Sequence, residues 1–392
     1  MFLELLALIM LGWAGGVLLG LLPGIHPNVL VLFIIPLAAI GGLQAVAFVA
    51  ALAVANVMTD VLPAILLAAP DAGNELAALP GQRLLHAGHG YDAVKIYVVA
   101  AYLSLLVCVA VLPLLAFMLS PLYATVSPFI WIILIVLLAW MIASEKRKLV
   151  ALVACLLAAL IGLALMRFPG STLQLLFPVF SGLFGSSAIL LQLRSGAAYP
   201  EQQAGSILVP RRSFLTSVIG GTGGGVLAGF LPGVGSSQIA SFATVQKKDE
   251  SFLATMGAMA TANMLLSIMS LWLIEKSRSG AAVVLENILP AVGVNEVIVV
   301  VIAALIAASL SLPLTLALAS RFSRLLHALP YHVIGKTVLV FLFVLVVVTT
   351  GLFGLAVFIT CCSLGIYVNL SGVKRGLLMA VLIVPTILVL AP

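Results

Sequence analysis

Two short motifs concentrate the residues of this chain that could do chemistry. Gly15 to Gly24 reads GGVLLGLLPG and Gly224 to Gly233 reads GGVLAGFLPG, eight of ten positions identical at an offset of 209. The first runs on into Ile25-His26-Pro27-Asn28, the second into Val234-Gly235-Ser236-Ser237-Gln238. Glycines four apart, Gly16 with Gly20 and Gly225 with Gly229, let helices approach closely. Pro23-Gly24 and Pro232-Gly233 then end the helix, because proline lacks a backbone donor and glycine relaxes the backbone. A half-helix N-terminus presents free N–H groups and a positive dipole end, which suit an anion. Matched broken helices in two halves of one chain point to a transporter's midplane site. The plainer alternative is a pair of kinks that serve packing alone.

Further candidates lie downstream of each motif. Ala55-Asn56 is answered by Ala262-Asn263, so Asn56 and Asn263 hold matching places and can each offer an amide to a ligand or to a neighbouring helix. Asp60 stands between apolar segments, and an ionisable group there is by default a functional hypothesis. Asp60 is a candidate site for a coupling proton or sodium ion, or it caps the helix that begins at Val61-Leu62-Pro63. Its counterpart, Ser267, cannot titrate. His26, inside the first break, can meet an anion or carry a proton. His86 and His89 with Asp92 do not make a convincing metal set, so no metal and no cofactor is expected. The expected substrate-binding set is Pro23, Gly24, His26, Asn28, Asn56, Pro232, Gly233, Gly235, Ser236, Ser237, Gln238 and Asn263, with Asp60 for ion coupling and no catalytic residue.

The elements that must position these residues are helices in a lipid bilayer. Of the 392 residues, 64% are apolar and 8% charged, against about a quarter charged in a soluble domain. That excludes a cytosolic globular enzyme and a disordered chain. Continuous rather than alternating apolar runs imply helices, not a barrel. At roughly 20 residues per crossing they allow about ten to twelve transmembrane or half-membrane helices. The N-terminal MFLELLALIMLGW lacks a basic leader region and reads as a first span. The four cysteines all lie in apolar stretches and suit packing. The fold expected is an all-α polytopic membrane protein of two homologous repeats, 1–205 and 206–392, with helices broken at the Pro-Gly motifs. Lys146-Arg147-Lys148, Arg211-Arg212, Arg321 with Arg324, and Lys374-Arg375 should face the cytoplasm. The second half opens beside Arg211-Arg212 and the first opens without basic charge, so the repeats are expected to be inverted. The net charge of +6 follows from those loops and does not suggest nucleic acid. No GxxxxGK[ST], HExxH or GxSxG motif is present.

The paired Pro-Gly motifs resemble those of the large permease subunit of tripartite tricarboxylate transporters, the TctA family. Pro63-Ala64-Ile65-Leu66-Leu67, then Pro70, then the polar glycine-bearing stretch Ala77 to Gly90, is similar to the family's loop after its first motif. The resemblance is clearest over 12–95 and 220–245. His26-Pro27-Asn28, Gly235-Ser236-Ser237-Gln238 and Asp71-Ala72-Gly73 depart from the family's usual residues, as in a shorter, archaeal-type branch. The resemblance implies a multi-pass cell-membrane permease, not an enzyme, that moves a small organic anion such as a carboxylate. Its implied partners are a small membrane subunit and an extracytoplasmic solute-binding protein; an oligomer is open. Rival readings are a carrier of a lipid-linked phosphate, a non-transporting assembly subunit, and an intramembrane enzyme using Asp60 and His26.

Overall fold

A computed structural model describes residues 2–22, 41–67, 75–167, 172–195, 200–203, 205, 207, 209–230, 235–236, 239–240, 248–289, 292–328 and 331–392. Every regular element among them is helical. The order is α1 (Phe2–Leu21), α2 (Gly42–Thr59), α3 (Val61–Leu66), α4 (Glu75–His86), α5 (Gly90–Val126), α6 (Ile130–Ala143), α7 (Lys148–Met166) and α8 (Thr172–Phe180). A π-helical turn, Ser181–Ser186, then leads into α9 (Ser187–Ser195). After these come α10 (Arg211–Phe230), α11 (Asp249–Leu273), α12 (Gly280–Ile288), α13 (Val294–Ala328), α14 (Tyr331–Ser371) and α15 (Ala380–Leu390). Eight helical stretches among the described residues are long and apolar enough to cross a membrane. Proline is tolerated inside α5, α13 and α15, because neighbouring helices can re-satisfy freed backbone groups in lipid.

The glycines of the repeated motifs determine how the helices meet. In the first half, Gly12 lies against the Phe48 carbonyl, Gly16 against Leu52 and Ala55, and Gly20 against Thr59 and the Asn56 carbonyl. In the second half, a Cβ at Gly221 would lie 2.5 Å from the Thr255 carbonyl oxygen, and one at Gly225 would lie 2.5 Å from both the Met259 carbonyl oxygen and Ala262 Cβ. Gly229 faces Leu266. Contacts thus advance together along both helices of each pair, so α1 runs parallel to α2, and α10 runs parallel to α11. The second pair repeats the first in register.

The two pairs run in opposite directions. Val46, near the start of α2, shares a small cavity with Ile268, Met269, Leu271 and Trp272 at the end of α11. At the other end, Gln82 Nε2 donates to the Ile65 carbonyl next to α2, and the neighbouring Arg83 pairs with Asp249 at 2.5 Å, where α11 begins. The long helices then cross between halves. On α5, Ser104 donates to the Ala258 carbonyl of α11 and meets Thr222 of α10, both at 2.8 Å. Reciprocally, Thr315 of α13 donates to the Met58 carbonyl of α2 at 3.2 Å, and Trp13 of α1 donates to Ser311 at 3.2 Å. The larger apolar core therefore takes helices from both halves of the sequence, with α2 and α11 almost wholly enclosed.

A second core, also drawn from both halves, gathers α6, α7, α8, the π-turn, α14 and α15. Here α14 reverses at Gly351, whose φ of 65° and ψ of −162° interrupt the helix. Gly335 in its first arm meets Ile189 and Leu193, while Gly365 in its second meets the Leu183 carbonyl and Ser187. Both arms therefore pack on one partner helix, which a straight α14 could not do. The α6–α7 turn carries Lys146, Arg147 and Lys148, whereas the Gly351 turn, Thr349 to Phe353, carries no charge. The basic clusters gather on one face. Ser213 of α10 meets Ser251 of α11 at 2.9 Å, so Arg211 opens α10 at the end where Asp249 pairs with Arg83; α13, which runs with α2, ends there with Arg321 and Arg324. From that face α14 departs and to it returns, where Arg147 donates to the Ser371 carbonyl at 3.2 Å and Lys374 pairs with Glu145 at 4.0 Å.

The packing makes a sharp distinction among glycines. Gly16→Val and Gly225→Val should each cost about 1–3 kcal/mol through overpacking, whereas Gly223→Ala, with no neighbour within 4 Å, should be silent. Thermal unfolding in detergent reads all three. Equal melting temperatures for the Gly225 and Gly223 variants would contradict the proposed contact.

Candidate functional site

The candidate site lies toward the ends of the two glycine-packed pairs. Among the described residues α1 runs to Leu21 and α10 to Phe230, each two residues before its motif's proline. Beside the end of α1 stand Asn56 and Asp60; beside the end of α10 stand Asn263 and Ser267. Residues four apart share a helix face, so each pair presents an amide with a second polar group one turn on. That face borders the glycine contacts: the Asn56 carbonyl and Asp60 N lie against Gly20, Asn263 N against Gly225 and Ser267 N against Gly229.

Asn56 is fully buried, and neither atom of its side-chain amide finds a hydrogen-bond partner among the described residues. An orphaned buried amide costs about 1–3 kcal/mol, and such a group calls for an explanation. Asp60 is also buried, at 8% exposure. Its backbone is helical, φ −62° and ψ −19°, and its side chain makes no capping bond, so it does not act as a cap for α3. Thr59 settles its own hydroxyl on the Ala55 carbonyl at 2.8 Å. In the second half, Asn263 is half-buried, with its backbone N against Gly225. Ser267 is occupied: its hydroxyl donates to the Met264 carbonyl at 2.9 Å. Ser236 is buried with its hydroxyl unpartnered among the described residues, and the Gly235 carbonyl accepts from Ile239 at 3.4 Å. Ile239 packs against both apolar cores, which sets this second segment at their junction. Pro23, Gly24, His26, Asn28, Pro232, Gly233, Ser237 and Gln238 lie outside the described residues.

Other sequence candidates have structural work. The Asp92 carboxylate accepts from the backbone N–H of Gly205 at 2.9 Å and of Ile207 at 3.1 Å, and lies 4.0 Å from His89. Gln202 donates to Leu85 at 3.1 Å and its Oε1 accepts from Gly90 N–H at 2.9 Å. These bonds strap the segment joining the two halves onto α4 and α5. No group of three metal-ligating side chains forms among the described residues. Sequence reading missed Thr261, fully buried with an unpartnered hydroxyl. Nothing in its neighbourhood distinguishes it from other helical threonines.

The family now follows from the whole chain. The tripartite tricarboxylate transporter TctA family matches residues 6–380. The chain belongs to that family. It is a multi-pass membrane transport protein, of a family that works with further subunits and a solute-binding protein. A relative from Methanocaldococcus jannaschii, described as an uncharacterized protein, is 25% identical over 98% of each chain, in keeping with an archaeal-type branch of the TctA family. No solved structure matches the chain.

The unpartnered amide separates a ligand group from a structural one. Asn56→Leu removes an unsatisfied polar group and should leave the melting temperature unchanged or higher, while uptake is lost. A fall in melting temperature would mean that Asn56 bonds the protein itself.

Proposed function

We propose that this TctA-family protein is a secondary-type permease that moves a small organic anion, a carboxylate, through a midplane site between the ends of its two glycine-packed helix pairs. One observation carries the reading. Two helix pairs of the same register run in opposite directions, and each ends beside an asparagine with a polar residue one turn beyond it. That is the pattern expected of inverted repeats with a shared site. The chain then divides into repeats 1–205 and 206–392, which exchange their long helices α5 and α13.

The chemistry supports an anion. Asn56 and Asn263 offer amide N–H groups from opposite sides; Ser236 adds a hydroxyl, and His26, Asn28, Ser237 and Gln238 belong to the two breaks. Asp60 adds a negative charge beside the cargo. A carboxylate repels an anion in a low-dielectric interior unless it carries a proton or a cation. Asp60 therefore supplies a coupling device: the site accepts the anion once Asp60 is neutralised by a proton or sodium ion. The positive-inside rule assigns the basic face to the cytoplasm of the cell membrane. A small membrane subunit and an extracytoplasmic binding protein would deliver the cargo from the other side.

Uptake into proteoliposomes tests the site. A di- or tricarboxylate should accumulate down an imposed proton or sodium gradient. Asp60→Asn should abolish gradient-driven accumulation, and Ser236→Ala should lower uptake about tenfold, the loss of one hydrogen bond to a charged ligand. Wild-type rates in both variants would overturn the assignment. Sidedness has its own test. Cysteines placed at Arg212 and Lys146 should react with an impermeant thiol reagent from one side and one at Glu275 from the other, against four buried native cysteines. Labelling of all three from one side would contradict the inverted arrangement.

A further inference from the structure

Many hydroxyls in this protein's helices share one habit, and two serines outside the site above, like Thr261 of α11, depart from it. Serine and threonine in a helix commonly donate to the carbonyl three or four residues back. Here Thr125, Ser187, Thr222, Thr255, Thr350, Thr360, Ser363 and Thr386 all do so, at distances from 2.6 to 3.0 Å. Ser181 and Ser186 do not. Their hydroxyls have no partner among the described residues, at 3% and 1% exposure.

Both belong to the π-helical turn Ser181–Ser186, whose six residues are all buried. π-turns are rare and frequently mark functional sites. Their i→i+5 bonding puts Ser181 and Ser186 one turn apart on one side, with Gly182 and Gly185 flanking them. The flanking glycines show what that side faces. Gly185 looks toward Leu342 in the first arm of α14, 3.8 Å from where its Cβ would be. Gly182 looks toward the Phe358 carbonyl oxygen, at 2.6 Å, and Cys361 in the second arm. The side of the turn that carries both serines therefore faces the crease between the arms of the Gly351 reversal. A widened turn also displaces backbone carbonyls from their usual donors, and the Phe358 carbonyl keeps a second lone pair. The two hydroxyls and the Phe358 carbonyl thus offer oxygen ligands in apolar surroundings of Leu183, Phe184 and Cys361. Hydroxyl and carbonyl oxygens without a carboxylate suit a singly charged hard cation.

We propose that the π-turn binds a sodium ion through the hydroxyls of Ser181 and Ser186 and neighbouring backbone carbonyls. This site is separate from Asp60. Only its use in coupling rests on the permease reading.

The test is sodium-dependent thermal stabilisation of the detergent-purified full chain, with choline replacing sodium at constant ionic strength. All variants carry Asp60→Asn, so that ion binding at that carboxylate does not contribute. A ligand that binds the folded state raises its melting temperature. Asp60→Asn protein should show a saturable rise with sodium chloride. Adding Ser181→Ala or Ser186→Ala should shift the half-saturating sodium concentration upward by about tenfold or more, or remove the rise. In choline the serine variants should melt no lower than their parent, because each loses an unsatisfied hydroxyl and no bond. Three results would overturn the proposal: no sodium response in Asp60→Asn protein, an unchanged response in the serine variants, or a sodium-independent fall in their melting temperature. The last would mean that the hydroxyls hold water or pack structurally. Failure of the permease reading appears separately, as absent carboxylate uptake.

Discussion

The structure depends on backbone-to-backbone approach at six glycines. Lipid supplies no hydrophobic force between helices, so association in a bilayer relies on close packing and hydrogen bonds. Gly12, Gly16 and Gly20 allow α1 to sit against the carbonyls of α2; Gly221 and Gly225 do the same for α10 on α11, where Gly229 meets Leu266. A side chain at any of these positions would part the pair. Because the contacts fix register, they also fix where α1 and α10 end relative to Asn56, Asp60, Asn263 and Ser267. Packing and the geometry of the proposed site are thus one constraint.

A second consequence follows from parallel pairing. Leu21 and Gly42 lie at opposite ends of the first pair, and Phe230 and Asp249 at opposite ends of the second. Each half then hands its long helix to the other, α5 to α11 and α13 to α2, sealed by Ser104 on Ala258 and Thr315 on Met58. α2 and α11 become the enclosed centre, and a polar residue there has no water to turn to. That is why an unpartnered Asn56 amide means more here than it would on a surface. It also explains why the two halves cannot be pictured as separate bodies: each core contains both.

Much of this was legible in the sequence, for identifiable reasons. The glycine motifs repeat almost residue for residue, and spacing of four maps directly to one helix face. Asn56 and Asn263 stood out because the repeat put them in matching places. The basic clusters stand out because each interrupts long apolar runs. Other features were hidden. Gly351 is one glycine in a continuous apolar run, and only the partners of Gly335 and Gly365 show that the chain reverses there. The cap reading of Asp60 was reasonable from Asp followed by Pro63, yet the helix continues through it. Thr261, Ser181 and Ser186 look like any helical hydroxyl, since a sequence does not say which hydroxyls back-bond and which are left over. The exchange of helices between halves is a non-local fact that periodicity cannot carry.

The central claim is that an anion binds between the two pseudo-equivalent helix ends, using one asparagine from each half. The most direct measurement is ligand-induced thermal stabilisation of the purified protein against a panel of di- and tricarboxylates, inorganic phosphate and prenyl phosphates, in wild type, Asn56→Leu and Asn263→Leu. The account predicts that a carboxylate raises the wild-type melting temperature and that either asparagine substitution removes the rise without lowering the unliganded value. Stabilisation by a carboxylate that survives both substitutions would contradict the site, and stabilisation by a prenyl phosphate alone would contradict the cargo.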